Sequence, residues 1–396
     1  MRQLLKKLTP PTTTILFGTF FTRTAFFMST PFLSIYLTSV LHIPLPQTGM
    51  VLSAFPLIIV LLSGFIGNFT DKLALRSALV FVAFFWGIVF VLFYFATTFW
   101  QFLLLNSLNG CCYAFFEPAA KKVLSLETAP DQRLMVYNIR YMGINLGGFL
   151  GPLLSQLFHI QQSLFAYLPL GICYILYSFV LLRTLAKPAP KIAIKKLTQP
   201  KTVRWRLVLA DFPFIFLLIG VAFSYFGYSQ FNSTLAQYLS LAPFLTDGSQ
   251  TYAYIISFNS ACILLLQFII LRLTQTLSAT TILIVSNLLL GFSVLLCGIM
   301  TTIWGFILIA LVYSLGELLL GSRFDTVVDS MAGEELKGMY FGFAELIKTG
   351  SVFGPIIGAY LLDSLGIEKG GMIFFILGLI TLWGSFFLFL TKKKAV

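Results

Sequence analysis

The sequence predicts an all-α integral membrane protein, with twelve transmembrane helices in two pseudo-symmetric six-helix bundles. Three observations carry this. First, 58% of the 396 residues are hydrophobic and only 10% are charged, whereas a soluble domain has about 25% charged residues. A soluble chain of this size would lack the polar surface to cover itself. Second, apolar runs recur at the length a hydrocarbon layer of ~30 Å requires, ~20 residues per helix. Third, the net charge of +12 is unevenly placed: segments 1–11, 183–206 and 392–394 hold fourteen of the 26 Lys and Arg and no Asp or Glu. Such clustering is the mark of cytoplasmic loops and ends. The basic residues flank apolar spans and form no soluble patch, which excludes a nucleic-acid partner; anionic lipid headgroups suffice to explain them.

Twelve spans follow in order, at 12–41, 47–69, 77–98, 101–125, 132–158, 162–185, 206–240, 249–273, 278–300, 303–329, 338–362 and 370–391. Arg2, Lys6 and Lys7 lead into the first, which is too long for a signal-peptide core, so it is expected to stay in the membrane. The first and seventh exceed one bilayer thickness, and tilt or a turn outside the membrane is expected of both. An even number of spans puts both basic termini on one face, and the basic segment 183–206 falls there too. Both termini are therefore expected in the cytoplasm, with the chain in a bacterial inner or plasma membrane. Loops on the opposite face (42–46, 99–100, 159–161, 241–248, 301–302 and 363–369) are short and leave no room for a domain. Pro188, Pro190 and Pro200 disfavour helix in 186–205. The chain thus divides into a first bundle at 1–185, a basic linker at 186–205 and a second bundle at 206–396. All five cysteines lie in apolar runs with no C-x-x-C, and read as small core residues. His42 and His159 lie near separate loops, so no metal site is expected.

The halves look related. Gly147, Gly151 and Pro152 in span 5 repeat as Gly350, Gly354 and Pro355 in span 11, 203 residues later; Asp131 and Glu334 lie just before these spans. Weak internal symmetry of this kind marks repeated membrane bundles.

Ionisable side chains well inside spans are costly and so are functional candidates. They are Arg23, Glu117, Arg140, Glu317, Arg323, Glu345 and Lys348. Counted inward from the end carrying the termini, Glu117 and Arg140 each lie about 8 residues deep, or ~12 Å at ~1.5 Å per residue. Arg323 and Glu345 lie at similar depth on spans 10 and 11. Two pseudo-symmetric structural pairs are expected, Glu117 with Arg140 and Arg323 with Glu345, each offsetting the other's desolvation. Reversing both charges of the first pair is expected to restore folding lost in either single reversal. Arg23, Glu317 and Lys348 lie nearest the middle. Glu317 is the candidate proton switch, because burial and a nearby cation move a carboxyl's proton affinity in opposite directions. Lys348 is the candidate cation, and a static Glu317–Lys348 salt bridge remains the alternative. Arg23 is placed to hold a substrate carboxylate or to pair with an acid.

Span 7 places Tyr225, Tyr228 and Asn232 at helical spacing, which suits a cavity wall for an amphipathic ligand. Asn106, Asn109 and Asn145 are further candidates for that cavity. Packing between helices is the open alternative for all six.

Between spans 2 and 3, Gly67, Asp71, Lys72 and Arg76 form a short charged break. They resemble the signature loop of the major facilitator superfamily, with Ala74 and Ser77 departing from its pattern. Gly143, Gly147, Gly151 and Pro152 resemble the helix-5 motif of its drug:proton antiporter branch. Gly316-Glu317, followed by Glu334-Glu335 and Lys337, is similar to that branch too. The basic residue the branch often carries in helix 4 is absent at Asn106 to Gly110. The resemblance implies a secondary transporter working by alternating access, exporting amphipathic small molecules such as a drug or an endogenous metabolite like a siderophore in exchange for protons. It also implies that Asp71 faces the N-terminus of helix 11 and that the loop holds the cytoplasmic side shut in one state. The equivalent place near Thr274 lacks the pattern. Tyr141 to Gly147 also looks like helix 5 of proton-coupled peptide transporters, which keeps uptake of peptides or other small solutes as the alternative; Thr19 and Thr22 replace that family's two glutamates. The expected partners are a small-molecule substrate, protons and membrane lipids, with the chain acting as a monomer. No phosphate-binding loop or catalytic cluster is present, so neither an enzyme nor a cofactor is expected, and a non-transporting membrane enzyme or receptor is the alternative of another class.

Overall fold

The computed structural model describes residues 8–72, 75–128, 132–158, 163–185, 207–332 and 336–394. Among them run twelve helices of 17 residues or more: α1 Pro10–Ser29, α2 Leu45–Lys72, α3 Leu75–Tyr94, α4 Phe99–Glu127, α5 Arg133–Leu157, α6 Tyr167–Thr184, α7 Phe212–Asn232, α8 Gly248–Leu273, α9 Ala279–Cys297, α10 Ile303–Met331, α11 Thr349–Leu365 and α12 Gly370–Lys394. Among the described residues, eight helical segments are long and apolar enough to cross a membrane on length and composition alone. The other helices, α1, α4, α5 and α11, are the shortest or the richest in polar groups, and three of them carry Arg23, Glu117 and Arg140. The linker 186–205, Asp131 and Glu334 lie outside the described residues.

Helix ends are set by local chemistry that recurs in both halves. Oxygens of Thr9 and Asp211 cap the starts of α1 and α7, each with proline in the first turn. Thr98 and Thr302 stand at the same point before α4 and α10, Thr98 in a capping box with Gln101. Trp100 and Trp304, 72% and 79% exposed, follow these caps, where an aromatic belt meets the membrane surface. Each half has its own apolar core. Trp86, Phe90, Phe93, Tyr167 and Tyr174 centre the first. Phe231 stacked on Tyr313 at 3.8 Å, with Tyr252 and Phe374, belongs to the second.

Small residues set how the helices approach. A Cβ on Gly147 would sit 2.7 Å from the Thr24 nitrogen, and one on Gly151 2.6 Å from the Thr24 carbonyl, so α5 lies directly on α1. In the second half, a Cβ on Gly350 would strike the Ala222 carbonyl and one on Gly354 the Ser229 hydroxyl, so α11 lies on α7 in the same way. The repeated glycines thus serve the same seam twice. Across the halves, α2 packs on α11 and α5 on α8. Ser53 Oγ donates to the Val352 carbonyl at 2.6 Å, and Gly49 lies against the Pro355 carbonyl. At the end opposite the termini, Ser39 Oγ donates to Ser240 Oγ at 3.4 Å, Gln156 Nε2 to Tyr254 Oη at 3.2 Å, and the Phe32 ring meets the edge of Tyr252.

The overlong first and seventh spans are resolved by breaks. After Ser29 the chain passes through a 3₁₀ turn, Thr30–Phe32, with Pro31 inside it, then Leu33–Ile35 and a π-helical turn, Tyr36–Val40. α7 stops at Ser233 and resumes as Thr234–Leu241. Span 11 also breaks, which the sequence pattern does not foretell: a short helix, Lys337–Ala344, leads through a 3₁₀ turn, Glu345–Lys348, into α11.

Candidate functional site

Polar side chains meet at mid-height between the halves. α1 brings Arg23, α4 brings Tyr113 and Glu117, and α5 brings Arg140. Pro118 inside α4 cannot donate to the preceding turn, which loosens the helix beside Glu117. Gly147 lets α5 approach α1 at Arg23 itself, and Arg140 lies two turns from Gly147 on α5. The result is a buried triad. Arg23 Nη2 donates to Glu117 Oε1 at 2.5 Å and Arg140 Nη2 to Glu117 Oε2 at 2.8 Å. Arg140 Nε also reaches Thr19 Oγ1 at 3.3 Å. The three charged side chains are 12%, 11% and 7% exposed in the order Arg23, Glu117, Arg140. Glu117 and Arg140 are thus brought together, and Arg23 joins them.

The expected second pair does not form. Arg323 Nη2 donates instead to the carbonyl and hydroxyl of Thr274 at 3.4 and 3.3 Å, tying α10 to the turn after α8. Glu345 accepts from Lys348 Nζ at 2.6 Å, its neighbour on the 3₁₀ turn. The physical reason is the break in span 11: a 3₁₀ turn places residues i and i+3 one above the other, so Glu345 meets Lys348. Among the described residues Lys348 pairs with Glu345 and not with Glu317, so the alternative of a static Glu317–Lys348 salt bridge does not form. Lys348 Nζ also lies 5.3 Å from the centre of the Tyr113 ring, which Arg23 Cζ approaches at 5.8 Å.

Glu317 stands on α10 in a different setting. Its Oε2 accepts from Asn259 Nδ2 at 2.9 Å, and Asn259 also donates to Ser314 Oγ at 3.0 Å. Among the described residues no ion pair holds Glu317, so its partner is a neutral amide. Asn259 on α8 is a member of this site that the sequence reading missed; the available signal was the polar cluster of Ser257, Asn259 and Ser260 inside an apolar span. Glu317 lies near enough to Tyr141, Tyr228 and Tyr313 for its charge to act on them.

Span 7 supplies an aromatic wall. The rings of Tyr225 and Tyr228 lie 5.9 Å apart, and Tyr228 stacks on Tyr313 at 6.0 Å. Tyr225 and Tyr228 are half-buried. Asn232 Nδ2 is 3.4 Å from Tyr313 Oη and joins the same wall. Asn145 is buried, with its amide donating to the Tyr141 carbonyl one turn back. Asn106 and Asn109 are placed differently from the cavity role expected of them. Asn106 donates to the Val51 carbonyl at 2.6 Å, Asn109 donates to Asn106 and accepts from Trp86 Nε1 at 2.8 Å. Both are buried between α2, α3 and α4, because amides without water must find partners in neighbouring helices. Gly67, Asp71 and Lys72 fall on the last turns of α2 and Arg76 on the first turn of α3; the side chains of 63–76 lie outside the described residues.

Residues 15–347 match the family described as Major Facilitator Superfamily, and the chain belongs to that family. It is a multi-pass membrane transporter, not an enzyme. A relative from Bacillus subtilis, the uncharacterized MFS-type transporter YqjV, is 34% identical over 97% of this chain and 94% of its own length. A protein of Planococcus maritimus named a Na(+), Li(+), K(+)/H(+) antiporter is 23% identical over 86% of this chain and 87% of its own. Among solved structures, the nucleoside transporter NupG shares the fold with a TM-score of 0.80 at 13% identity, covering 97% of this chain and 99% of that one. A POT family transporter in complex with 5-aminolevulinic acid shares it with a TM-score of 0.78 at 16% identity, covering 97% and 96%.

Proposed function

We propose that this transporter exports amphipathic small molecules in exchange for protons, by alternating exposure of the central site on the two faces of a bacterial plasma membrane. The observation that carries the proton half is the setting of Glu317. Glu117 and Glu345 are each held by cations, whereas Glu317 faces the Asn259 amide. A carboxyl inside a membrane protein with only neutral partners exchanges a proton whenever solvent access changes. Tyr225, Tyr228 and Asn232, each half-buried, supply the apolar faces and hydrogen bonds of an amphipathic site. The name of the Planococcus relative supports exchange against protons, and the helix-5 glycines support export.

In this reading the termini and the linker 186–205 lie in the cytoplasm, as the clustered Lys and Arg favour. The contacts of Ser39 with Ser240 and of Phe32 with Tyr252 hold the outer end shut. Gly67, Asp71, Lys72 and Arg76 close the inner end in the alternate state.

The experiment is flux in proteoliposomes with an imposed proton gradient, across amphipathic dyes of both charges with Na⁺, Li⁺ and K⁺ as further candidates. Wild-type protein is expected to accumulate cargo against its gradient. Glu317→Gln is expected to lose that accumulation while keeping downhill exchange of cargo. Gradient-driven accumulation at the wild-type rate in Glu317→Gln refutes the assignment of the proton site.

A further inference from the structure

We infer that Arg23 and Lys348, held beside the Tyr113 ring, form a subsite for an oxyanion on the cargo, a carboxylate or sulfonate carried on an aromatic body. This names the cargo class of the exporter reading and rests on it.

Glu117 is shared between Arg23 and Arg140, one anion for two cations. Lys348 is held by Glu345 alone among the ion pairs described, and Glu345 is 44% exposed. A pair so exposed, three residues apart on one turn, holds its ammonium weakly. Within these ion pairs Arg23, Arg140 and Lys348 against Glu117 and Glu345 leave one positive charge over. Nearer the end with the termini, Lys121 on α4 and Asp325 on α10 add one charge of each sign, and both act on this cluster. Glu317 also lies at mid-height, but among the described residues it forms no ion pair with these cations and takes the Asn259 amide instead. A cation inside a membrane protein that is held only by a shared or an exposed carboxylate is costly, and an anionic cargo group supplies a further partner.

Geometry points the same way. The guanidinium and the ammonium come from opposite halves of the molecule, α1 and the turn before α11, and both approach the ring on α4 at 5.8 and 5.3 Å. An oxyanion between them takes charge-assisted hydrogen bonds from both. Its aromatic body meets Tyr113, whose ring already packs edge-on to Phe55 at 5.3 Å, and Phe26, 5.5 Å from the Arg23 guanidinium. A cargo bound this way links the two bundles through its own charge.

The test is equilibrium dialysis of the full chain in lipid nanodiscs, without a gradient, against 2-naphthoate, 2-naphthalenesulfonate and the neutral isostere 2-naphthamide. Both anions are expected to bind about ten-fold or more tightly than the amide, the scale of hydrogen bonds to charged groups. Lys348→Gln is expected to remove that preference, and Lys348→Arg to retain it with the same monodisperse elution. Arg23→Gln is expected to weaken it as well. Equal binding of the anions and the amide, no binding of either anion, or an undiminished preference in both Lys348→Gln and Arg23→Gln overturns the inference. Because binding is read without a proton gradient, its failure is distinct from a failure of proton-coupled export.

Discussion

Replacing Glu117 by glutamine keeps the shape of the side chain and removes the one negative charge of the triad. In the folded protein Glu117 accepts from Arg23 at 2.5 Å and from Arg140 at 2.8 Å, with all three side chains nearly excluded from solvent. Glu117→Gln leaves two guanidiniums facing a neutral amide, one of whose two ends now presents a donor. Removing one partner of a buried pair costs roughly 3–5 kcal/mol, and here two cations are stranded, so the upper part of that range is expected. Arg23→Gln is milder. Glu117 keeps Arg140, the local charge falls from +1 to zero, and the loss is a charged hydrogen bond of roughly 1.5–3 kcal/mol. The double change Glu117→Gln with Arg140→Gln strands only Arg23 and is expected to be more stable than Glu117→Gln alone. The third member also alters the charge-reversal experiment. With Glu117→Arg and Arg140→Glu combined, one contact re-forms, but the introduced arginine faces Arg23, so rescue is partial. The assay is unfolding in mixed micelles by dodecyl sulfate titration, followed by intrinsic tryptophan fluorescence, to which the buried Trp86 beside Phe116 and Tyr174 contributes. A cost below about 1 kcal/mol for Glu117→Gln, the range of exposed pairs, or full rescue by the charge reversal, refutes the reasoning.

Two further outcomes follow from the packing. Asn109→Ala leaves the buried Trp86 Nε1 without its acceptor and is expected to cost about 1–3 kcal/mol of stability in the same titration, with the set of transported compounds unchanged; a changed cargo preference refutes the helix-packing role. Gly147→Ala places a methyl 2.7 Å from the Thr24 nitrogen, and overpacking of about 1–3 kcal/mol is expected in that titration, whereas Gly321→Ala, with open space around it, is expected to be neutral; equal effects of the two refute the close α1–α5 seam.

Class, helix count and pseudo-symmetry were legible in the amino-acid order, because each follows from one-dimensional quantities. Span length answers to bilayer thickness, and the paired Gly-x-x-x-Gly-Pro runs answer to the closest approach of two helices. That order also isolated the charged residues at mid-height, because the cost of burying a charge makes any such residue conspicuous. What it could not set was partnership. Arg23 joined Glu117 and Arg140 because Gly147 lets α5 lie on α1, a distance no spacing rule contains. Arg323 turned to Thr274, and Glu345 to Lys348, because span 11 breaks into a 3₁₀ turn, and a change from 3.6 to 3.0 residues per turn rotates every side chain that follows. Asn106 and Asn109 look alike in sequence to Asn232, which joins the aromatic wall of α7. Only the packing of α2, α3 and α4 showed that their amides are used up in holding helices together. Pattern fixes which groups must be inside a membrane, whereas which of them meet depends on rotations and approaches of whole helices, and those are settled only when all twelve pack at once.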